Sequence, residues 1–352
     1  MKKIKILGAG LSGLSAAINL AKAGYSVDIF DSNSDSGARF HGDLQGLENW
    51  SEKIDVLSDL KKMNIAINFD CDPFDEFFGI KGKTKTSFKF EQPIFYLVKR
   101  GSVTRSIDQG LKKQALELGV SIKYNRTIPR EEADIVATGP ITKAIGGAVK
   151  GIIFETTHPD IAIGIAENKV ANGGYAYLLI TKGYGCMCTA VCGNLEKMND
   201  YFTEAKKTLT ELVPFDIKNP KNVGGVGCFS FNNKFRTEKS LFVGEAAGLQ
   251  DLLFGFGMRY AIISGYMAAQ SIIKNQNYEK NAEKYFSKKR KAGIVNRYLW
   301  EKILSSRPYL LFFSRFLSKK YLYSFYNFNL IQKMLYPFAL RHTKKRHSFI
   351  DS

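Results

Sequence analysis

The apolar positions of this chain follow two rhythms, one of period three to four and one of period two. Ile4-Lys5-Ile6-Leu7 predicts a short strand, and after a glycine-rich turn Leu14, Ala17, Ile18 and Ala21 recur at helical spacing until Gly24 stops the helix. Residues 25–30 (YSVDIF) predict a second strand, with Asp31 just past its end. A helix is expected over 51–63, an exposed hairpin over 81–89, and a strand over 93–99 followed by Arg100. Residues 106–119 read as an amphipathic helix with Leu111, Ala115 and Leu118 inward, and short strands follow at 120–124 and 133–139. From 151 to 192 the rhythm becomes alternating, giving strands at 161–166, 174–181 and 184–192 with a turn at Lys182-Gly183. A helix over 199–213 ends at Pro214, and Gly224-Gly225 then leads back. The stretch 241–271 predicts a strand, a tight turn at 244–248, a loop closed by Gly255-Phe256-Gly257, and a helix from Met258. That helix has small residues at Ala261, Gly265, Ala268 and Ala269.

The first of these segments carries specific chemistry. Gly8-Ala9-Gly10-Leu11-Ser12-Gly13 joins a strand to a helix, and Asp31 ends the next strand 23 residues after Gly8. This is the dinucleotide fingerprint in its full context. Gly8 makes the turn, Gly10 lets backbone approach a pyrophosphate, Gly13 lets helix and strand pack, and Asp31 accepts from an adenosine ribose. The loop after Asp31 packs Arg39, His41 and Asp43 into five positions and can run along a cofactor toward its reactive end. The helix start at Met258 offers unpaired N–H groups and a positive dipole end, and Gly255 and Gly257 leave room for a flat ligand.

A single βαβ start followed by an alternating block and a return gives an α/β fold with an interrupted cofactor domain. The expected organisation is residues 1–50 with 93–145 and 235–275 as the cofactor domain, 51–92 with 146–234 as an antiparallel-sheet substrate domain, and 276–352 as a helical C-terminal region. At 352 residues the chain can bury a large core. Its net charge is +18, and residues 278–352 hold 17 Lys or Arg against four acids. Basic and aromatic residues interleave there, at Arg297-Tyr298-Leu299-Trp300 and over 308–317 and 321–340. Such helices fit an anionic membrane surface. A helical cap packed on the first two domains accounts for the same pattern equally well. No RNA-binding signature accompanies them, so nucleic acid ranks below membrane as a partner. No long apolar run predicts a transmembrane helix, and the N-terminus flows directly into the glycine motif. The expected location is cytoplasmic, with a peripheral membrane position open.

The five cysteines, Cys71, Cys186, Cys188, Cys192 and Cys228, are odd in number and match no metal-binding spacing. No metal is expected. Cys186, Cys188 and Cys192 share parity on one predicted strand, and small core cysteines or a thiol facing a reacting carbon are both open readings.

These motifs together resemble the FAD-dependent geranylgeranyl reductase family, within the p-hydroxybenzoate hydroxylase-like flavoproteins, over residues 1–275. Gly8, Gly10, Gly13 and Asp31 are similar to its adenosine-diphosphate site, and Arg100 to its Arg-containing segment near the cofactor. Gly244-Glu245-Ala246-Ala247-Gly248 resembles its GDAAG turn, Gly255-Phe256-Gly257-Met258 its segment beside the isoalloxazine, and Gly174-Tyr175-Ala176-Tyr177 the start of its substrate-sheet motif. Gly224-Gly225 resembles the pair before the last cofactor strand. The resemblance implies an FAD-binding Rossmann-like domain of the glutathione-reductase type. It implies FAD-binding positions at Gly8, Gly10, Leu11, Ser12, Gly13, Asp31, Arg39, Arg100, Thr138, Gly139, Gly244, Glu245, Gly255, Gly257 and Met258. Glu245 stands for the family's Asp, Leu252 for its Pro, and Tyr177, Leu179 and Ile180 for Trp, Phe and Pro. Ala137-Thr138-Gly139 replaces the A-D-G of nicotinamide-dependent hydroxylases. The implied activity is reduction or dehydrogenation of an apolar isoprenoid or lipid by hydride transfer from reduced flavin, with NAD(P)H or a reduced ferredoxin as electron donor. An FAD-dependent monooxygenase is the second reading. A non-catalytic membrane- or RNA-associated protein on a flavin fold is the third. Candidates for the catalytic acid are His41, Tyr177, Cys186 and Cys188.

Overall fold

The computed structural model describes residues 3–140, 146–227, 233–304 and 318–346. Cys228 and the expected helix over 308–317 lie outside them. The alternation of short apolar strands and helices at the N-terminus builds a parallel sheet. Its strand order is Leu241–Phe242, Ile135–Val136, Lys3–Leu7, Ser26–Phe30, Ser121–Lys123, and every pairing is parallel. Helices Leu11–Lys22 and Met258–Ile273 pack closely on each other, because Gly265 has no side chain: a Cβ there would sit 2.1 Å from the Ser12 carbonyl oxygen. Ile4, Ile6, Leu14, Ile18 and Ile29 form the centre of this core.

The second sheet has seven strands, ordered Lys218–Gly227, Gly147–Glu155, Tyr184–Val191, Tyr175–Thr181, Ile161–Ile165, Glu76–Lys81, Thr84–Lys89. Its pairings are antiparallel except for the parallel pair Ile161–Ile165 with Glu76–Lys81. Lys182 and Gly183 both take positive φ in the expected hairpin turn. Helix Met198–Leu212 covers one face through Tyr201, Ala205 and Leu209. The other face brings Cys186, Cys188, Tyr177, Leu179 and Val223 against Leu44, Leu97 and Phe74 of a three-stranded sheet made of His41–Glu48, Phe95–Gly101 and Asp72–Phe74.

Three placements differ from the sequence reading. Helix Val56–Lys62 and the residues after it pack into the first core through Val56, Leu60, Met63, Ile65 and Phe69, so only the 76–89 hairpin of that segment joins the substrate sheet. Leu118 lies beyond the end of helix Ile107–Glu117 as its C-cap and is exposed, whereas Leu111 and Ala115 face inward. Residues 218–227 form a full strand, although KNPKNVGGVG has no alternation to announce it.

The C-terminal region packs on the rest of the molecule. Helix Tyr278–Leu299 runs into a π-helical turn at Trp300–Leu304. Tyr278 Oη donates to the Phe242 carbonyl at 2.8 Å. Arg297 Nη2 and Trp300 Nε1 both donate to the Gly173 carbonyl, at 3.0 and 3.2 Å. Short helix Lys319–Ser324 and helix Leu330–Arg346 follow, and Asn296 and Gln332 tie them to the long helix through the Phe325 carbonyl. No helix among the described residues is long and apolar enough to cross a membrane.

Candidate functional site

The parallel sheet and the apolar face of the seven-stranded sheet enclose a cleft of ≈ 450 Å³. Its walls gather most of the residues singled out in the sequence. Gly8, Gly10, Leu11 and Ser12 line it at the strand–helix turn. Gly8 takes φ +110°, and a Cβ there would meet the Ala137 carbonyl oxygen at 2.3 Å. Gly13 stands behind the turn, where a Cβ would lie 2.1 Å from the Gly8 oxygen. Gly10 is the N-cap of helix Leu11–Lys22, and nothing lies within 4 Å of the position its Cβ would take. That helix has no side-chain cap and no acid in its first turn, so its dipole end is left for an anion.

Asp31 lines the cleft. Its carboxylate accepts from Ala9 N at 2.6 Å and from Asn33 N and Nδ2 at 2.8 and 2.9 Å. Those three bonds leave acceptor sites on a group with about four. Arg39 and Glu245 form an ion pair at 3.1 Å, and both lie within 4 Å of a Cβ built on Gly139. Thr138 and Gly139 line the cleft beside them. Arg100 lines it too, but its guanidinium is held: Nε and Nη2 bond Asp108 at 2.9 and 3.1 Å, Nη1 bonds Gln45 at 3.2 Å, and the group lies 4.1 Å from the Phe40 ring centre. Arg100 therefore fixes the floor of the cleft as much as it presents charge to it.

Gly255, Gly257 and Met258 line the cleft where helix Met258–Ile273 begins. Gly257 is the N-cap, again with no side-chain cap and no acid in the first turn. Gly244 lies outside the lining and is packed against Ser12, with its N–H donated to Ser264 Oγ at 2.8 Å. The loop before the helix is organised by Asp251, which the sequence reading did not single out. Its carboxylate accepts from Phe254 N at 2.6 Å, its carbonyl accepts from Gly255 N at 3.1 Å, and its own N–H reaches the Phe256 carbonyl at 2.8 Å. Burial pushes the Asp251 carboxyl up to about 6. Trp50 packs edge-on against Phe256, with ring centres 4.9 Å apart, and Tyr175 Oη donates to the Phe254 carbonyl at 2.7 Å. Trp50, in a polar stretch, gave no periodic signal. An acid before an aromatic-glycine loop was the one clue to Asp251.

The four catalytic candidates separate. Tyr177 and Cys188 line the cleft, whereas Cys186 is fully buried, its Sγ 3.6 Å from Cys188 Sγ. Cys192 lies just past the end of strand Tyr184–Val191. Hydrogen bonding to Cys188, together with burial, holds the Cys186 thiol well above the usual range. Burial and the neighbouring Cys188 hold the Tyr177 hydroxyl well above an ordinary phenol, so it keeps its proton at neutral pH. His41 is exposed at the start of its strand and lies outside the cleft lining.

Comparison with known proteins agrees with this architecture. A family model for the NAD(P)-binding Rossmann-like domain matches residues 6–46. Over 41 residues the chain is 46% identical to 1-hydroxycarotenoid 3,4-desaturase from Flavobacterium sp. (strain P99-3), a match spanning 12% of this chain and 8% of the desaturase. Among solved structures, a geranylgeranyl bacteriochlorophyll reductase-like protein from Thermoplasma acidophilum is similar with a TM-score of 0.65 at 16% identity, covering 98% of this chain and 99% of that one. A flavin-dependent brominase is similar with a TM-score of 0.64 at 16% identity, covering 97% and 99%. A p-nitrophenol 4-monooxygenase from Pseudomonas putida is similar with a TM-score of 0.61 at 14% identity, covering 98% of each chain. At these identities the likeness is one of fold. The chain has the α/β fold common to these proteins, with a Rossmann-like domain, a mixed antiparallel-sheet domain and a helical C-terminal region.

Proposed function

We propose that this chain is an FAD-dependent oxidoreductase that reduces or dehydrogenates an apolar substrate of isoprenoid or lipid type. One observation carries the reading: a single cleft joins two uncapped helix starts, at Gly10 and Gly257, to an apolar wall bearing Tyr177. The residues present fit the cofactor. Positions 10 and 255 are open where a Cβ would stand, and both helix starts lack an acid that would repel a phosphate or a reduced flavin.

Gly8, Gly10, Leu11 and Ser12 would seat the pyrophosphate through backbone N–H groups, and Asp31 would accept from the ribose. Arg39 and Glu245 would flank the ribityl chain, and Gly255, Gly257 and Met258 would hold the isoalloxazine. A bound flavin supplies hydride transfer at its N5 position. The first turn of helix Met258–Ile273 would stabilise the negative charge of the reduced ring. Leu97, Leu179 and Val223 would give the substrate side of the cleft an apolar surface. Tyr177 Oη would deliver the proton that balances hydride addition to a double bond. NAD(P)H or a reduced ferredoxin would supply electrons.

The fold likeness spans reductase-like, halogenase and monooxygenase proteins, so the test must distinguish reaction types. Purified protein loaded with FAD is reduced anaerobically and followed by its visible spectrum while a polyprenyl lipid or oxygen is added. Reoxidation by the lipid with slow reaction toward oxygen is expected. Rapid oxygen consumption without response to lipid would assign a monooxygenase, and failure to take up FAD would overturn the reading.

A further inference from the structure

The outward face of the last described helix carries an apolar patch that the described chain leaves uncovered. Helix Leu330–Arg346 buries Gln332, Ala339 and Thr343, and Ala339 packs with Ile294, Val295 and Leu252. Its opposite face presents Leu330, Ile331, Met334 and Phe338, which are 72%, 69%, 69% and 60% exposed. At 3.6 residues per turn these four fall within an arc of about 100°. Arg341 and Lys345 continue the same arc toward the C-terminal end, and Lys333 and Lys344 flank it; all four are exposed. The helix contains no Asp or Glu. The carboxylate that meets it from the neighbouring turn, Glu301, is buried and holds both Arg297 and His342.

We propose that this face docks on an anionic lipid bilayer, with the four apolar side chains inserted at the headgroup boundary and the cations on the phosphates. Large apolar side chains next to cations that no carboxylate opposes among the described residues match a surface that is apolar beneath and anionic at its rim. A second copy of the chain fits less well, because a two-fold contact through this face would bring the same cations together. The inner side of the helix shares an apolar cluster with Leu252, next to Leu253 and Phe254 of the cleft wall. Docking would therefore hold the cleft about one helix diameter, roughly 10 Å, from the lipid. The inference does not depend on the flavin reading.

The test is co-sedimentation of the full chain with vesicles. Binding is expected to phosphatidylcholine vesicles containing about one-third phosphatidylglycerol, falling steeply with salt, and much less to phosphatidylcholine alone. Met334→Glu with Phe338→Glu should lower the partition on the order of tenfold or more. Arg341→Glu with Lys345→Glu should remove the preference for anionic lipid. Leu116→Glu, an exposed apolar position on helix Ile107–Glu117, should leave binding unchanged. Melting temperatures of all variants should match the parent, since the altered side chains are exposed. Binding that survives Met334→Glu with Phe338→Glu, or no binding to anionic vesicles, would overturn the proposal. A concentration-dependent dimer dissolved by the same pair would also overturn it, by assigning the face to a second copy.

Discussion

At the scale of single residues, the glycines of the first turn divide into those that serve the fold and those that serve a ligand. Gly13 has the Gly8 oxygen 2.1 Å from any added Cβ, whereas Gly10 faces open space at φ −81°. Gly13→Val should therefore give little folded protein. Gly10→Val should fold and melt near the parent but lose FAD uptake, read by flavin fluorescence after gel filtration; retained stoichiometric flavin would sink the placement of the pyrophosphate. Asp251 allows a signed prediction. Its folded carboxyl is raised from 3.8 to about 6, so between those values the unfolded chain has released a proton that the folded chain still holds. Stability contributed by this group is full below the window, falls as pH rises through it, and stays lost above. Asp251→Asn should remove the loss while its side-chain oxygen still accepts from Phe254 N. The variant's melting temperature relative to the parent should thus improve between about pH 4 and about pH 8, by up to about 3 kcal/mol in stability. An unchanged difference across pH would show that Asp251 titrates normally. The motif glycines, Asp31, Glu245 and the helix start at Met258 were legible because each is tied to a local backbone requirement. Asp251 and Trp50 were not, because their roles depend on packing between segments far apart in sequence.

At the scale of elements, the close approach of helices Leu11–Lys22 and Met258–Ile273 was announced by small residues at helical spacing. The structure gives that stripe a partner: Gly265 lies against the Ser12 carbonyl. Gly265→Ala should cost at least about 1–3 kcal/mol through overpacking and weaken FAD binding with it, since both helix starts line the cleft. Urea denaturation with and without FAD measures both effects. The hairpin turn at Lys182-Gly183 and the alternating strands around it were readable from their own pattern. Strand Lys218–Gly227 was not. Among the described residues it lies at the edge of its sheet, pairs only with Gly147–Glu155, and exposes most of its side chains, so no apolar alternation was needed to hold it. Leu118 failed for the opposite reason: it fits the helical period but falls past the last turn, where the period no longer sets direction.

At the scale of the whole molecule, the basic C-terminal region is part of the fold as well as a surface. Tyr278, Phe286, Ile294, Val295 and Trp300 are buried, and Trp50, Phe90, Ile94 and Tyr326 form one cluster joining it to the N-terminal half. Ending the chain after residue 277 should expose these partners and give aggregated or flavin-free protein, checked by gel filtration and circular dichroism. A folded, flavin-binding truncation would mean the region only caps the surface. Charge counting separated this region from the rest but could not tell a cap from a docking tail, because lysines tolerate both when their stems cover apolar surface.

The way the loop 250–257 leans on Leu252's partners Ile294, Val295 and Ala339 has a consequence for how the protein is made. Translation delivers the glycine turn well before helix Leu330–Arg346. A nascent chain that has emerged only as far as helix Met258–Ile273 has a complete parallel sheet but a loop 250–257 that still lacks these partners. Stable cofactor capture should therefore wait until the helices beyond residue 277 have been made.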